Sequence, residues 1–176
     1  MPRITVTEYV SLDGVFDEPG AWSFPFWTDE AARWKYDELF AADAQLLGRR
    51  TYEGFAAAWP TMTDEQGFAE RMNGMPKYVV SSTLTDPSWT NTTVIAADAI
   101  EELPVENLLV AGSAQLVGDL FKRGLVDELR LLVHPIVLGS GNQLFQDGLP
   151  TTPLVLEDEQ TFASGVLALT YRRPAA

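Results

Sequence analysis

The residues best suited to chemistry in this chain lie in two small-residue turns, each set between a strand pattern and a helix pattern. In Asn107 to Lys122, NLLVAGSAQLVGDLFK, the run Leu108-Leu109-Val110 reads as a strand covered on both faces. Ala111-Gly112-Ser113-Ala114 then removes bulk where the chain turns, and Ser113 is the expected N-cap of the helix that follows. Leu116, Val117, Leu120 and Phe121 recur at helical spacing, Gln115, Asp119 and Lys122 point outward, and Gly124 supplies the stop. Such a turn gathers unpaired backbone N–H groups and the positive end of a helix dipole, a combination that attracts phosphate. An ordinary tight connection between strand and helix has the same make-up.

The second turn follows a short strand, Ala44 to Leu47. Gly48-Arg49-Arg50-Thr51-Tyr52-Glu53 opens a helix that runs to about Trp59 before Pro60 ends it. Two arginines at a helix N-terminus oppose its dipole, a penalty of a few tenths to about 1 kcal/mol that a bound anion would relieve. Solvated surface arginines are the alternative. Ser81-Ser82, at the end of the strand Lys77 to Val80, can cap, bond within a turn or contact a ribose.

The rest of the pattern shows what must hold these turns. Ile4 to Val10 alternates as a strand and ends at Ser11-Leu12-Asp13-Gly14, a turn. The loop from Phe16 to Thr28 is rich in large rings, with Trp22, Phe24, Phe26 and Trp27, which either fold under it or wall a site for a flat ligand. Asp29 to Asp43 reads as a helix capped by Thr28, with Ala32, Tyr36, Leu39 and Phe40 on one face. Thr61 to Gly74 is a surface segment with some helical character, and Thr92 to Ala96 is a strand. Arg130 to Leu138 is a long apolar strand carrying the lone histidine, His134, whose expected role is structural. Leu154 to Phe162 and Val166 to Arg172 close the chain as paired strands. Strands alternating with helices early and strands alone late imply an α/β fold over residues 1–176, one domain with a central, mostly parallel sheet, helices on both faces and an antiparallel C-terminal edge.

Composition narrows the function classes. A net charge of −13 opposes binding to nucleic acid or anionic membrane, so an anionic ligand needs a local basic site. The chain has no cysteine, which removes disulfides and thiolate metal sites and points to a reducing cytoplasm. No apolar run is long enough to span a bilayer, and the N-terminus enters a strand pattern directly, with no expected targeting segment.

Several stretches together resemble the dihydrofolate reductase-like superfamily, and most of all its branch containing the reductase domain of the bifunctional riboflavin-biosynthesis deaminase/reductase. They are Ser11-Leu12-Asp13-Gly14, Leu47 through Glu53, Val80-Ser81-Ser82, Val110 through Leu116, and Gly124 through Leu129 with Pro135 through Gly141. The resemblance implies NADPH bound across the C-terminal ends of the strands. Ala111, Gly112, Ser113, Ala114 and Gln115 would lie against the pyrophosphate; Gly48, Arg49 and Thr51 would meet the other side of the cofactor. Arg49 and Arg50 would lie near the 2′-phosphate and Ser81 and Ser82 near the adenosine ribose. Trp22, Phe26 and Trp27 would wall a small heterocyclic substrate, and a homodimer is expected.

Two departures from the family pattern matter. Paired glycines are replaced by Ala111-Gly112, and Trp27 stands where the pteridine-binding acid is usual, leaving Asp13, Asp29 and Glu30 as candidate carboxylates for substrate orientation or proton supply. Without that acid, a non-catalytic NADPH or pterin/flavin-binding protein is the alternative to a reductase. The related phosphoribosylamino-pyrimidine substrate would also call for basic groups, available here as Arg33, Lys35, Arg71 and Lys77. There is no deaminase segment and no zinc-ligand cluster.

Overall fold

The structure is a computed structural model and describes residues 1–174. Its frame is an eight-stranded sheet in the order β4-β3-β2-β5-β1-β6-β8-β7. The strands are β1 (Arg3–Ser11), β2 (Ala44–Gly48), β3 (Lys77–Val80), β4 (Thr92–Ile95), β5 (Asn107–Ala111), β6 (Glu128–His134), β7 (Val155–Thr161) and β8 (Leu167–Arg172). From β4 to β6 every pairing is parallel, while β8 runs antiparallel to β6, and β7 antiparallel to β8. The helices are α1 (Asp29–Ala41), α2 (Arg49–Ala58), α3 (Phe68–Gly74) and α4 (Ala114–Lys122).

The central strands are covered on both sides, which explains their composition. Ile4, Val6 and Val10 of β1 point to one face, where Leu116, Val117, Leu120 and Phe121 of α4 pack on them. Each such side chain removed from water stabilises the fold by about 1.5–3 kcal/mol. On the opposite face Ala31 and Trp34 of α1 join Leu132, Phe162 and Val166. A third cluster gathers Leu39, Tyr52, Met75, Trp89 and Leu109 beneath α2 and α3.

Two elements differ from expectation. The buried face of α1 is Ala31, Trp34, Glu38 and Leu39, not the stripe through Ala32, Tyr36 and Phe40. Phe40 is exposed and stacks on Tyr36 with ring centroids 4.0 Å apart, an i,i+4 pair on the outer surface. The rotation follows from the sheet beneath, where Thr7 offers its hydroxyl to the Glu38 carboxylate at 3.0 and 3.1 Å. The strand expected from Arg130 to Leu138 ends at His134, because Pro135 has no N–H to continue the ladder.

Topology creates the site. The chain builds β1, then β2, β3 and β4 outward on one side, and returns to insert β5 between β2 and β1 before placing β6 beyond β1. Where strand order reverses, the loops leaving adjacent strands diverge and open a crevice at their C-terminal ends, the usual place for a ligand in such sheets.

Candidate functional site

The turns after β2 and β5 are neighbours on this edge and are fastened together. The Gly48 N–H donates to Ser113 Oγ at 2.9 Å. A side chain at Gly48 would put its Cβ 3.3 Å from both Cβ and Oγ of Ser113, and one at Gly112 would lie 3.0 Å from Thr51 Oγ1 and 3.1 Å from its methyl. The constraint is strict at Gly112, which also has positive φ, and milder at Gly48, where the Ser113 side chain would have to give by a few tenths of an ångström. Gly112 has φ +64° and Ser113 has φ +67°, so two successive residues are left-handed. For serine that conformation costs about 1–2 kcal/mol, offset in part by its bond to Gly48. Ser113 does stand at the N-cap of α4, but its hydroxyl faces across to Gly48 and does not cap its own helix.

Around this staple the edge is polar and partly charged. Arg49 and Arg50 are exposed in the first turn of α2. Arg49 is oriented from two sides, donating through Nε to Glu53 at 2.7 Å and through Nη1 to Thr83 Oγ1 at 2.6 Å. Ser81, after β3, accepts from the N–H groups of Thr83 and Leu84 at 3.2 and 3.0 Å, while Ser82 is exposed beside it. The fold thus brings Ser81, Ser82, Gly48, Arg49, Arg50, Thr51 and Ala111 through Gln115 onto one edge, at the ends of β3, β2 and β5. Gly112 and Gly48 let the two turns pack closely against each other, helix starts supply N–H groups, and guanidinium groups suit phosphate, so the residues present fit a dinucleotide.

The candidate carboxylates are dispersed. Asp13 accepts from Ser11 Oγ at 2.6 Å and from the Leu138 and Gly139 N–H groups at 3.1 and 2.8 Å, and these bonds hold its pKa down at about 2. It ties the β1 turn to the loop after β6. Asp29 is exposed at the start of α1, and Glu30 accepts from the Ala163 N–H at 2.8 Å, joining α1 to the turn between β7 and β8. Asp29 and Glu30 are neighbours at the start of α1, while Asp13 is held in the separate β1 turn.

The aromatic loop splits as well. Trp22 is buried, donates through its indole N–H to the Asp17 carbonyl at 3.0 Å and meets His134 edge-on with centroids 5.2 Å apart. Phe26 and Tyr9 lie 5.8 and 5.7 Å from the same imidazole. Burial pushes the His134 pKa down, and its Nδ1 lies 2.9 Å from the Leu132 carbonyl, so the ring is a neutral part of an aromatic wall. Trp27 is 45% exposed beside this wall.

Three of the four basic residues considered for a phosphate are already engaged. Lys77 is fully buried on β3 and donates to the carbonyls of Asn73, Met75 and Thr90 at 2.7, 2.9 and 3.1 Å. Arg71 donates to the Ala42 carbonyl at 2.5 Å, and Lys35 forms an ion pair with Glu38. Arg33 is exposed.

One residue of this edge escaped the sequence reading. Glu8 on β1 is 4% exposed, and its Oε1 has no hydrogen-bond partner. It shares a face with Val6 and Val10, and its carboxyl lies against the backbone N–H of Gly112. The alternation of ITVTEYV itself places Glu8 on the face of Ile4, Val6 and Val10. That signal was available, and the parallel sheet, which covers both faces of a central strand, must bury Glu8.

Comparison with known proteins agrees with this architecture. The family model of the RibD C-terminal domain matches residues 2–168. The chain belongs to the RibD C-terminal domain family. Relatives in Bacillus subtilis (strain 168) include the uncharacterized protein YyaP, 32% identical over 77% of this chain and 76% of its own length, and the uncharacterized protein YwjB, 30% identical over 89% and 90%. The fold matches a Shewanella sp. PV-4 protein assigned provisionally to riboflavin biosynthesis, with TM-score 0.82 at 18% identity over 98% of this chain and 99% of that one. A pyrimidine reductase-like protein of Corynebacterium diphtheriae gives TM-score 0.74 at 17% identity, covering 99% and 93%. Acinetobacter baumannii RibD gives 0.69 at 15% identity, covering 99% of this chain and 59% of RibD. These likenesses establish the dihydrofolate reductase-like α/β fold. Among the described residues, no helix is long and apolar enough to cross a membrane.

Proposed function

We propose that this protein is an NADPH-dependent reductase that delivers hydride to a polarised C=N, C=C or C=O group of a small heterocyclic or carbonyl substrate, pterin-like or pyrimidine-like in class. The observation that carries the reading is the pair of glycine turns joined by the Gly48–Ser113 hydrogen bond, with Arg49 beside them. NADPH, when bound, supplies the hydride. The chain's contribution is binding and orientation. Gly112 through Gln115 would hold the pyrophosphate, Arg49 and Arg50 the 2′-phosphate, and Ser81 and Ser82 the adenosine ribose. Holding nicotinamide and acceptor in reacting geometry accounts for several of the roughly 8–23 kcal/mol by which enzymes lower barriers. Trp22, Phe26 and Trp27 would shield the acceptor from water. The catalytic assignments are Asp13 for holding the substrate-side loop, Trp27 for stacking on the acceptor, and Asp29 or Glu30 for proton supply.

Trp27 at the acid's position, with Glu30 engaged by Ala163, favours one second reading: a protein that binds NADPH or a pterin or flavin without turning it over. The residues act as one domain in the cytoplasm, and a homodimer is the proposed assembly, supported by exposed Val155 and Leu156 on the edge strand β7. Incubation with NADPH and a panel of pterin, pyrimidine and carbonyl compounds, followed by loss of the reduced-nicotinamide absorbance, tests the reading. Oxidation with at least one class supports a reductase. Saturable NADPH binding with no oxidation across the panel supports the second reading.

A further inference from the structure

Glu8 is a buried carboxyl in an unusual place. On β1 its register partner in β6 is Leu131, and β5 ends with Ala111 opposite Thr7, so Glu8 sits level with the first residue of the Gly112 turn. The side chain points to the face covered by α4, whose inward residues Leu116, Val117, Leu120 and Phe121 are all apolar. The charged groups acting on it come through the sheet from α1, where Lys35 favours its ionised form and Glu38 opposes it; the α4 residues Asp119 and Lys122 face outward. A carboxylate left unpaired in such surroundings is costly, whereas a neutral carboxylic acid is tolerated and can still accept from the Gly112 N–H.

We propose that Glu8 is a positioning residue of the dinucleotide site: as a neutral acid it supports the Gly112 N–H from beneath, and so keeps the left-handed Gly112–Ser113 turn able to accept pyrophosphate. Ionisation would place a negative charge directly behind an anion-binding turn in an apolar setting, where charges interact most strongly. The inference rests on the proposed use of this turn for NADPH. Burial raises the Glu8 pKa from 4.5 to about 8, with the Gly112 N–H pulling the other way, so the neutral form dominates at neutral pH.

The test is NADPH affinity measured by fluorescence titration between roughly pH 6.5 and 9.5 for the wild type and Glu8→Gln, an isosteric side chain that stays neutral. Wild-type Kd should be flat below about pH 8 and rise up to tenfold per unit above it, as for one group whose ionised form does not bind. Glu8→Gln should bind like wild type at pH 7 and remain flat. A flat wild-type profile, or a Glu8→Gln profile that still rises, would overturn the assignment while leaving the reductase reading intact. Absence of NADPH binding at every pH would instead remove that reading. Wild-type titration with 2′-phospho-ADP-ribose, which lacks nicotinamide, works even if the variant fails to fold. The same pH dependence is expected with this fragment, and its loss would refute a role at the pyrophosphate turn.

Discussion

Two glutamates lie buried within the same few ångströms of sheet, on opposite faces, and their surroundings differ completely. Glu38 is 3% exposed and fully engaged, accepting from Thr7, paired with Lys35 and 3.7 Å from Arg130, whose guanidinium lies 4.2 Å over the Trp34 ring. Glu8 is 4% exposed with one oxygen unpartnered. Charge within a complete network holds α1 to the sheet; a solitary carboxyl persists only as a neutral group and is useful where its protonation state matters. Lys35 shows the same contrast. Burial depresses its pKa most, yet Glu38, Tyr9 and Glu8 together outweigh burial and the net shift is upward.

The largest effect should come from breaking the complete side. Glu38→Ala leaves the half-buried Lys35 without its anion and Arg130 with Glu128 alone, and should destabilise the fold by about 3–5 kcal/mol, a Tm fall on the order of 10 °C by calorimetry. Glu8→Gln, in contrast, should change stability at pH 7 by less than about 1 kcal/mol, since it replaces a neutral group by a neutral isostere. Similar losses for the two variants would erase the distinction.

The pH dependence of stability sharpens it further. The Glu8 pKa is raised on folding, so the native state holds a proton that the unfolded chain releases. Its contribution is therefore fully present below about pH 4.5 and is lost as pH rises to about 8. Urea midpoints across that range should fall less steeply for Glu8→Gln than for wild type; parallel curves would contradict a neutral Glu8.

Smaller effects are expected at the turns. Gly112→Ala adds a Cβ 3.0 Å from Thr51 at φ +64° and should cost about 1–2 kcal/mol of stability while weakening NADPH binding at least tenfold. Ser113→Ala deletes the bond to Gly48 and should cost about 1 kcal/mol, with a few-fold loss of affinity. Unchanged affinity in both would separate the turns from the cofactor.

Much of the fold was legible because its signals are local. Strand–turn–helix punctuation at Gly48 and Gly112 located both turns, and the late run of strands gave the antiparallel edge formed by β7 and β8. Side-chain facing was less legible, since it depends on partners distant in sequence. Ala32 and Phe40 looked like the inner stripe of α1 because hydrophobicity outranks charge in a periodic reading, yet Thr7 and Arg130 make Glu38 the inward residue. Glu8 went unnoticed for the same reason. Ser113 was located correctly at the start of α4, but its partner is 65 residues away. The roles proposed for Asp13, Trp27, Asp29 and Glu30 rest on resemblance; no local pattern indicates that Asp13 bonds to Leu138 or Glu30 to Ala163.

The most direct test of the central idea is calorimetric titration of the purified chain with NADPH, in parallel with Arg49→Glu and Gly112→Ala. Saturable binding at one site per chain, weakened at least tenfold by either substitution and with NADPH preferred over NADH only while Arg49 is present, is the predicted result. No NADPH binding, or binding indifferent to both substitutions, would contradict it.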